Sequence, residues 1–205
     1  KDIIRPTPLV KAYGIAPDCD LYLKPENLQN TGSFKLRGSG YKMAMLSEEE
    51  KSKGVIACSA GNHAQGVALA ATKNGISSLI CLPDTAPISK IEATKSYGAE
   101  VCLVEGVYDD AYKKAIELRD ERGYTFVHPF DDDRVIAGQG TIGLEIIEEL
   151  DYLGMQVNGY YVGWNSFNVN MHTGVHYTTV IKGTEESGPE DFDVWVYTDD
   201  QEYFL

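Results

Sequence analysis

From about Gly54 to Leu150, short β-branched runs alternate with longer segments of helical spacing, the signature of consecutive βαβ units feeding one parallel sheet. The spacing predicts strands at Gly54–Cys58, Ser78–Leu82, Glu100–Val104 and Thr125–His128. Between them it predicts helices over Asn62–Lys73, Ile88–Tyr97 and Tyr108–Arg122. Pro87 opens the second helix, and Gly75, Gly98 and Gly123 stand as stop signals. The fold class expected is α/β, an open parallel sheet covered by helices. Upstream, Asp20–Lys24 reads as a strand and Ser33–Leu46 as a helix entered through the turn-forming Gln29-Asn30-Thr31-Gly32.

After Leu150 the pattern changes, which suggests two regions, 1–150 and 151–205. The second region carries one basic residue, Lys182, against nine acidic ones, so most of the net charge of −13 sits there. Val175–Ile181 and Phe192–Tyr197 read as strands, with turns at Asn158-Gly159 and Ser187-Gly188-Pro189, giving a β-rich tail of unrecognised type.

Eighteen Lys and Arg against 31 Asp and Glu repel a phosphate backbone, so nucleic acid is not an expected partner. No apolar run reaches the roughly 18 to 20 residues of a membrane helix, and the first residues lack the layout of a signal peptide. A cytoplasmic chain is expected, with its natural N-terminus absent before Lys1. Cys19, Cys58, Cys81 and Cys102 lack the spacing of a metal site and read as reduced, structural thiols. His172 and His176 stand four apart with no acidic partner, a weak metal signal, and the site is expected to hold no metal.

Chemistry concentrates in two stretches. In Lys24-Pro25-Glu26-Asn27-Leu28-Gln29-Asn30-Thr31-Gly32-Ser33-Phe34-Lys35-Leu36-Arg37-Gly38, a polar turn delivers Lys35 to the first turn of a helix. Unpaired N–H groups and the positive end of the helix dipole disfavour an ammonium there, and a depressed lysine pKa is what an imine-forming amine needs. The alternative is an ordinary solvated lysine. In Ser59-Ala60-Gly61-Asn62-His63-Ala64-Gln65-Gly66, small residues join a strand to a helix at the C-terminal edge of the sheet, where free N–H groups suit a carboxylate or phosphate. The alternative there is a plain βα turn with Asn62 as N-cap and His63 exposed.

Gly138-Gln139-Gly140-Thr141-Ile142-Gly143 satisfies G-x-G-x-x-G, but Asp131-Asp132-Asp133-Arg134 precede it where a strand should, and the glycines fall inside a helical pattern running to Leu150. It is not read as a dinucleotide site. The acidic run reads as a solvated turn and helix start.

With these stretches in view, the first 150 residues closely resemble the threonine dehydratase (threonine ammonia-lyase) family, pyridoxal-phosphate enzymes of the tryptophan-synthase-β-like group, fold type II. Arg5-Pro6-Thr7-Pro8-Leu9 is similar to the family's N-terminal signature, Gly32 to Gly38 to its cofactor-lysine motif, and Gly138 to Ile147 to the stretch leading into its large domain. The resemblance implies pyridoxal 5'-phosphate as cofactor and Lys35 as Schiff-base lysine and catalytic base. It implies Phe34 and Asn62 at the cofactor, and Ser59, Ala60, Gly61, Asn62 and His63 at the substrate carboxylate.

The implied reaction turns L-threonine or L-serine into 2-oxobutanoate or pyruvate and ammonia, within amino-acid metabolism and isoleucine biosynthesis. The implied partner is a small amino-acid substrate, and exposed apolar surface points to a homo-oligomer. Where the family carries a glycine-rich phosphate loop, this chain has Tyr160-Tyr161-Val162-Gly163-Trp164-Asn165, whose single glycine and large aromatics do not make a close cradle of N–H groups. A truncated or fused non-catalytic fragment is therefore one alternative, and serine racemase-like activity is another.

Overall fold

The computed structural model describes residues 3–14, 21–152, 160–164, 178–182, 193–198 and 201–204. Strands β1 (Val10–Ala12) and β2 (Leu21–Leu23) pair antiparallel, and a 3-10 turn at Glu26–Leu28 leads towards helix α1 (Lys35–Ala44). The short helix α2 (Glu48–Lys53) starts with a capping box, in which Ser47 Oγ accepts the Glu50 N–H and the Glu50 carboxylate accepts the Ser47 N–H. Then β3 (Val55–Cys58), α3 (Asn62–Lys73), β4 (Ser78–Pro83), α4 (Ile88–Ser96), β5 (Glu100–Val104), α5 (Tyr108–Arg122), β6 (Thr125–Phe126) and α6 (Asp133–Tyr152) follow in strict alternation.

Every residue of β3 and β4 is buried, which requires helices on both faces of the sheet. The four strands lie in the order β5-β4-β3-β6, all parallel. Val55, Ala57, Ile80 and Leu82 face a layer containing Leu36 and Met43 of α1, Ala64, Val67 and Ala71 of α3, Ile91 of α4 and Val135 of α6. The intervening residues Ile56, Cys58, Leu79 and Cys81 face Ala111, Ala115 and Leu118 of α5. The period of two along each strand thus sorts one apolar run into two separate cores.

Helices at 62–73 and 108–122 are found where the sequence spacing predicts them. The strand expected at Gly54–Cys58 and the helix expected at Ile88–Tyr97 each lose one end residue, and three further elements differ more. The helix expected over Ser33–Leu46 spans Lys35–Ala44, because Gly32, at φ 68°, and Ser33 form the turn that precedes it. The strand expected over Thr125–His128 stops at Phe126, because His128 Nδ1 accepts the N–H groups of Phe130 and Asp131 and turns the chain. Asp20–Lys24 contains only the three-residue β2 among the described residues.

The G-x-G-x-x-G stretch lies inside α6, and its first glycine has a packing role. A Cβ on Gly138 would stand 2.6 Å from the Gly38 Cα and 2.7 Å from the Arg37 carbonyl oxygen, so paired glycines let α1 and α6 touch backbone to backbone. The acidic run is less solvated than expected. Asp132 Oδ1 accepts the N–H groups of Arg134 and Val135 at the start of α6, while Oδ2 pairs with Lys42 Nζ at 2.6 Å.

The chain divides into two compact units, Lys1–Ile142 and Gly143–Leu205, the division falling within α6. In the second unit β7 (Tyr160–Trp164), β8 (Thr178–Lys182), β9 (Asp193–Thr198) and β10 (Gln201–Phe204) form an antiparallel meander in the order β10-β9-β8-β7. The expected strands at 175–181 and 192–197 correspond to β8 and β9. His172, His176 and Cys19 lie outside the described residues. Among the described residues no helix is long and apolar enough to cross a membrane.

Candidate active site

Lys35 is the first residue of α1, and the segment leading to it is held from several directions. The Glu26 carboxylate accepts Nε and Nη2 of Arg37 at 2.7 and 2.9 Å, the Thr7 hydroxyl at 2.6 Å and Gln29 Nε2 at 3.3 Å. Arg37, only 3% exposed, donates its remaining arm to Thr141 Oγ1 in α6. Gln29 both donates to the Arg5 carbonyl and accepts the Arg5 N–H, and Asn30 donates to the carbonyl of Ile3. The N-terminal segment is thereby strapped across the turn that presents Lys35.

The Lys35 amine donates to the carbonyl oxygen of Pro129 at 2.8 Å and stands 5.1 Å from the centre of the Phe34 ring. Burial lowers its pKa from 10.5 to about 8. Desolvation, not the helix N-terminus expected from the sequence, causes the depression. Room for α1 beside α3 comes from Gly66, where an added Cβ would lie 3.2 Å from the Lys35 carbonyl. Gly66 is the last residue of the second motif, so the two motifs meet at Lys35.

His63 is 3% exposed, not an exposed residue of a plain βα turn. Its Nε2 lies 2.9 Å from the Val127 carbonyl oxygen, which can only accept, so the proton is assigned to Nε2. Nδ1 is a buried acceptor with no hydrogen-bond partner among the described residues. Burial, and next the charge of Lys35, lower the His63 pKa to about 3, so the ring stays neutral beside the amine. His128 is also lowered, again chiefly by burial.

Ser59, Ala60, Gly61 and Asn62, all partly buried, lie at the C-terminal end of β3. Gly61, not Asn62, occupies the N-cap position of α3, and its N–H donates to Ser59 Oγ at 3.2 Å. The first N–H groups of α3 have no partner within the helix and form a natural seat for an anion.

Sequence reasoning does not reach Pro129, Val127, Glu26 or Arg37. The first two carried one usable signal, a proline just past a strand end on the edge of the sheet where α/β proteins bind ligands. Glu26 and Arg37 carried none, since their pairing depends on how α1 meets the preceding turn.

An amine held near neutrality, beside a neutral buried imidazole and a helix N-terminus suited to a carboxylate, can bind a carbonyl compound covalently and exchange a proton with it. Comparison with known proteins points the same way. The family described as "Pyridoxal-phosphate dependent enzyme" matches residues 1–198. An L-threonine ammonia-lyase of Thermotoga maritima is 58% identical over 131 residues, 64% of this chain and 33% of its own length. The catabolic L-threonine dehydratase TdcB of Staphylococcus aureus (strain N315) is 46% identical over 184 residues, 84% of this chain and 53% of its own. The solved processed form of threonine deaminase isoform 2 from Solanum lycopersicum superposes with a TM-score of 0.71 at 44% identity, over 73% of this chain and 42% of that one. The chain therefore spans about half or less of the length of these relatives. With a match that takes in both motifs and nearly all of the sequence, the chain belongs to the pyridoxal-phosphate dependent enzyme family.

Proposed function

We propose that this chain is the lysine-bearing part of a threonine ammonia-lyase, converting L-threonine to 2-oxobutanoate and ammonia, and L-serine to pyruvate and ammonia. The observation that carries the reading is the Lys35 amine, lowered to about 8 by burial and anchored on the Pro129 carbonyl at the mouth of α1.

The residues present fit the lysine side of the cofactor. Lys35 supplies an amine that is substantially neutral near pH 8, and the unpartnered Nδ1 of His63 leaves a buried acceptor for a ligand. We assign Phe34 and Asn62 to the cofactor, and the stretch Ser59, Ala60, Gly61, Asn62 and His63 to the substrate carboxylate. The phosphate is a different matter. Tyr160–Trp164 is a strand paired with β8, so among the described residues that segment forms no glycine cradle.

When bound, the cofactor supplies the electron sink that makes the α-proton of an amino acid removable. Lys35 would hold the cofactor through its amine, and a free Nζ at this position would accept the α-proton as general base. The Pro129 carbonyl accepts from the ammonium so formed. His63 does not compete for that proton, because its protonation is disfavoured in the same buried space. The N–H groups at the start of α3 hold the carboxylate and so orient the α-carbon towards Lys35.

The reading extends to a cytoplasmic chain that associates with its own copies and to isoleucine biosynthesis, while the expected boundary at residue 150, with 151–205 as an acidic tail, falls inside the stretch to residue 198 that the family matches. The staphylococcal relative is named catabolic, so threonine breakdown is the competing place for the reaction. The test is the visible absorbance of the chain after pyridoxal phosphate is added and excess removed, with Lys35→Ala alongside, followed by product analysis with L-threonine and L-serine. A band that requires Lys35, together with oxoacid formation, supports the reading. A band without oxoacid, or with D-serine as product, replaces it by the fragment or the racemase alternative. No band in folded protein removes the enzyme reading for this chain.

A further inference from the structure

Away from Lys35, three thiols line up across the sheet. Cys58 of β3 is the register partner of Cys81 in β4, and Cys81 is the register partner of Cys102 in β5. All three are free, and partners on neighbouring parallel strands point to one face, here the face covered by α5. Strand neighbours lie about 4.8 Å apart, inside the range of roughly 4.4 to 6.8 Å between Cα atoms that a disulfide spans.

The two neighbouring pairs differ in access. Cys58 and Cys81 are both fully shielded, and the Cys58 thiol is turned to the Tyr108 carbonyl at 3.9 Å. Cys102 is partly exposed on β5, an edge strand among the described residues, in register with the shielded Cys81. The ammonium of Lys114 on α5 is near enough to Cys81 for its charge to favour the ionised form of that thiol. An accessible thiol, a shielded thiol in register with it and a nearby cation are the parts of an oxidisable dithiol.

We propose that Cys81 and Cys102 form a modification site at which a hydroperoxide produces an intrachain disulfide between β4 and β5. The Cys102 sulfur attacks the peroxide, the O–O bond breaks, and with hydrogen peroxide one water leaves and a sulfenic acid remains. The Cys81 sulfur then displaces the sulfenic oxygen as a second water, forming the S–S bond. Two thiol hydrogens and two electrons pass to the peroxide in total. The order follows from access, since the partly exposed Cys102 can meet the peroxide while the fully shielded Cys81 is left as the resolving partner. The cross-link closes a loop that contains α4. None of this depends on the reaction assigned to Lys35.

The full chain is treated with hydrogen peroxide, its remaining thiols are blocked by alkylation, and its intact mass and peptide map are measured by mass spectrometry. The expected result is a loss of two hydrogens and one cross-linked peptide pair containing Cys81 and Cys102, reversed by dithiothreitol. The pair persists in Cys58→Ser. It is absent from Cys102→Ser and from Cys81→Ser, where oxidation of Cys102 stops at added oxygen. A wild-type chain in which both cysteines stay alkylatable, in which Cys102 collects oxygen without cross-linking, or in which Cys58 supplies the bridge overturns the proposal. The wild-type map decides on its own if a variant fails to fold.

Discussion

The amine of Lys35 donates to the carbonyl oxygen of Pro129, 94 residues further along the chain, at 2.8 Å. Two positions upstream of that proline, the Val127 carbonyl receives the His63 ring. The first turns of α1 and α3 are thus tied to one short segment, Val127–Pro129, and the properties of the amine depend on a backbone stretch remote in sequence.

Because burial holds the Lys35 amine at about 8, attachment of pyridoxal phosphate to the chain should speed up about tenfold per pH unit below 8 and level off above it. Absorbance measured against time from pH 6 to pH 10 checks this. A rate still climbing at pH 10 means an ordinary, solvated lysine.

The His63 ring, near 6.5 when unfolded and about 3 when folded, makes stability depend on acid. Below pH 6.5 the unfolded chain takes up a proton that the folded chain refuses until about pH 3, so stability falls as the pH drops through that window. His63→Gln keeps a donor for the Val127 carbonyl and removes the titration. Its thermal midpoint should therefore vary less steeply between pH 6.5 and 3, by the equivalent of one proton. Parallel curves for the two proteins count against a buried, neutral His63.

Two glycines of the G-x-G-x-x-G stretch should respond oppositely to alanine. At Gly138 the new Cβ meets backbone at 2.6 Å, and overpacking of this kind costs about 1–3 kcal/mol. Gly140 has nothing within 4 Å, and alanine there should stabilise the helix by roughly 0.5–1 kcal/mol. Denaturant unfolding of the two variants separates a packing role from a ligand-binding one, which predicts loss at both.

Arg37 and Glu26 form a shielded ion pair, with side chains 2% and 12% exposed. Arg37→Met leaves the Glu26 carboxylate with an uncompensated charge and should cost about 3–5 kcal/mol. The double variant Arg37→Met, Glu26→Gln should recover a large part of that loss. Chemical unfolding of the single and double variants gives the coupling directly, and additive losses rule out the pair as a unit.

The parallel sheet and its helices are legible because each strand ends in small or turn-forming residues and each helix carries its own stop. Tyr108–Arg122 ends at Gly123 in the left-handed conformation, φ 70°, a signal written locally. Lys35 and the stretch to Gly66 are legible for the same reason, as turns entering helices. Contacts between distant elements are not: nothing in the spacing of Asp131-Asp132-Asp133 announces that Lys42 neutralises the middle carboxylate, and nothing near Asn62 announces that Gly61 takes the cap. Nor does anything near His63 announce that its ring meets the Val127 carbonyl, 64 residues away.

Strand β3 sits between β4, which follows it closely in sequence, and β6, whose pairing residue Thr125 comes 70 positions after Val55. On a ribosome adding about 5–20 residues per second, one margin of β3 waits several seconds for its partner after the other has closed. During that interval a fully apolar strand offers a free row of amides and carbonyls to any neighbouring nascent chain. The placing of β6 late in the order of synthesis thus makes yield in the cell sensitive to translation speed and to chaperone supply, independently of how stable the finished sheet is.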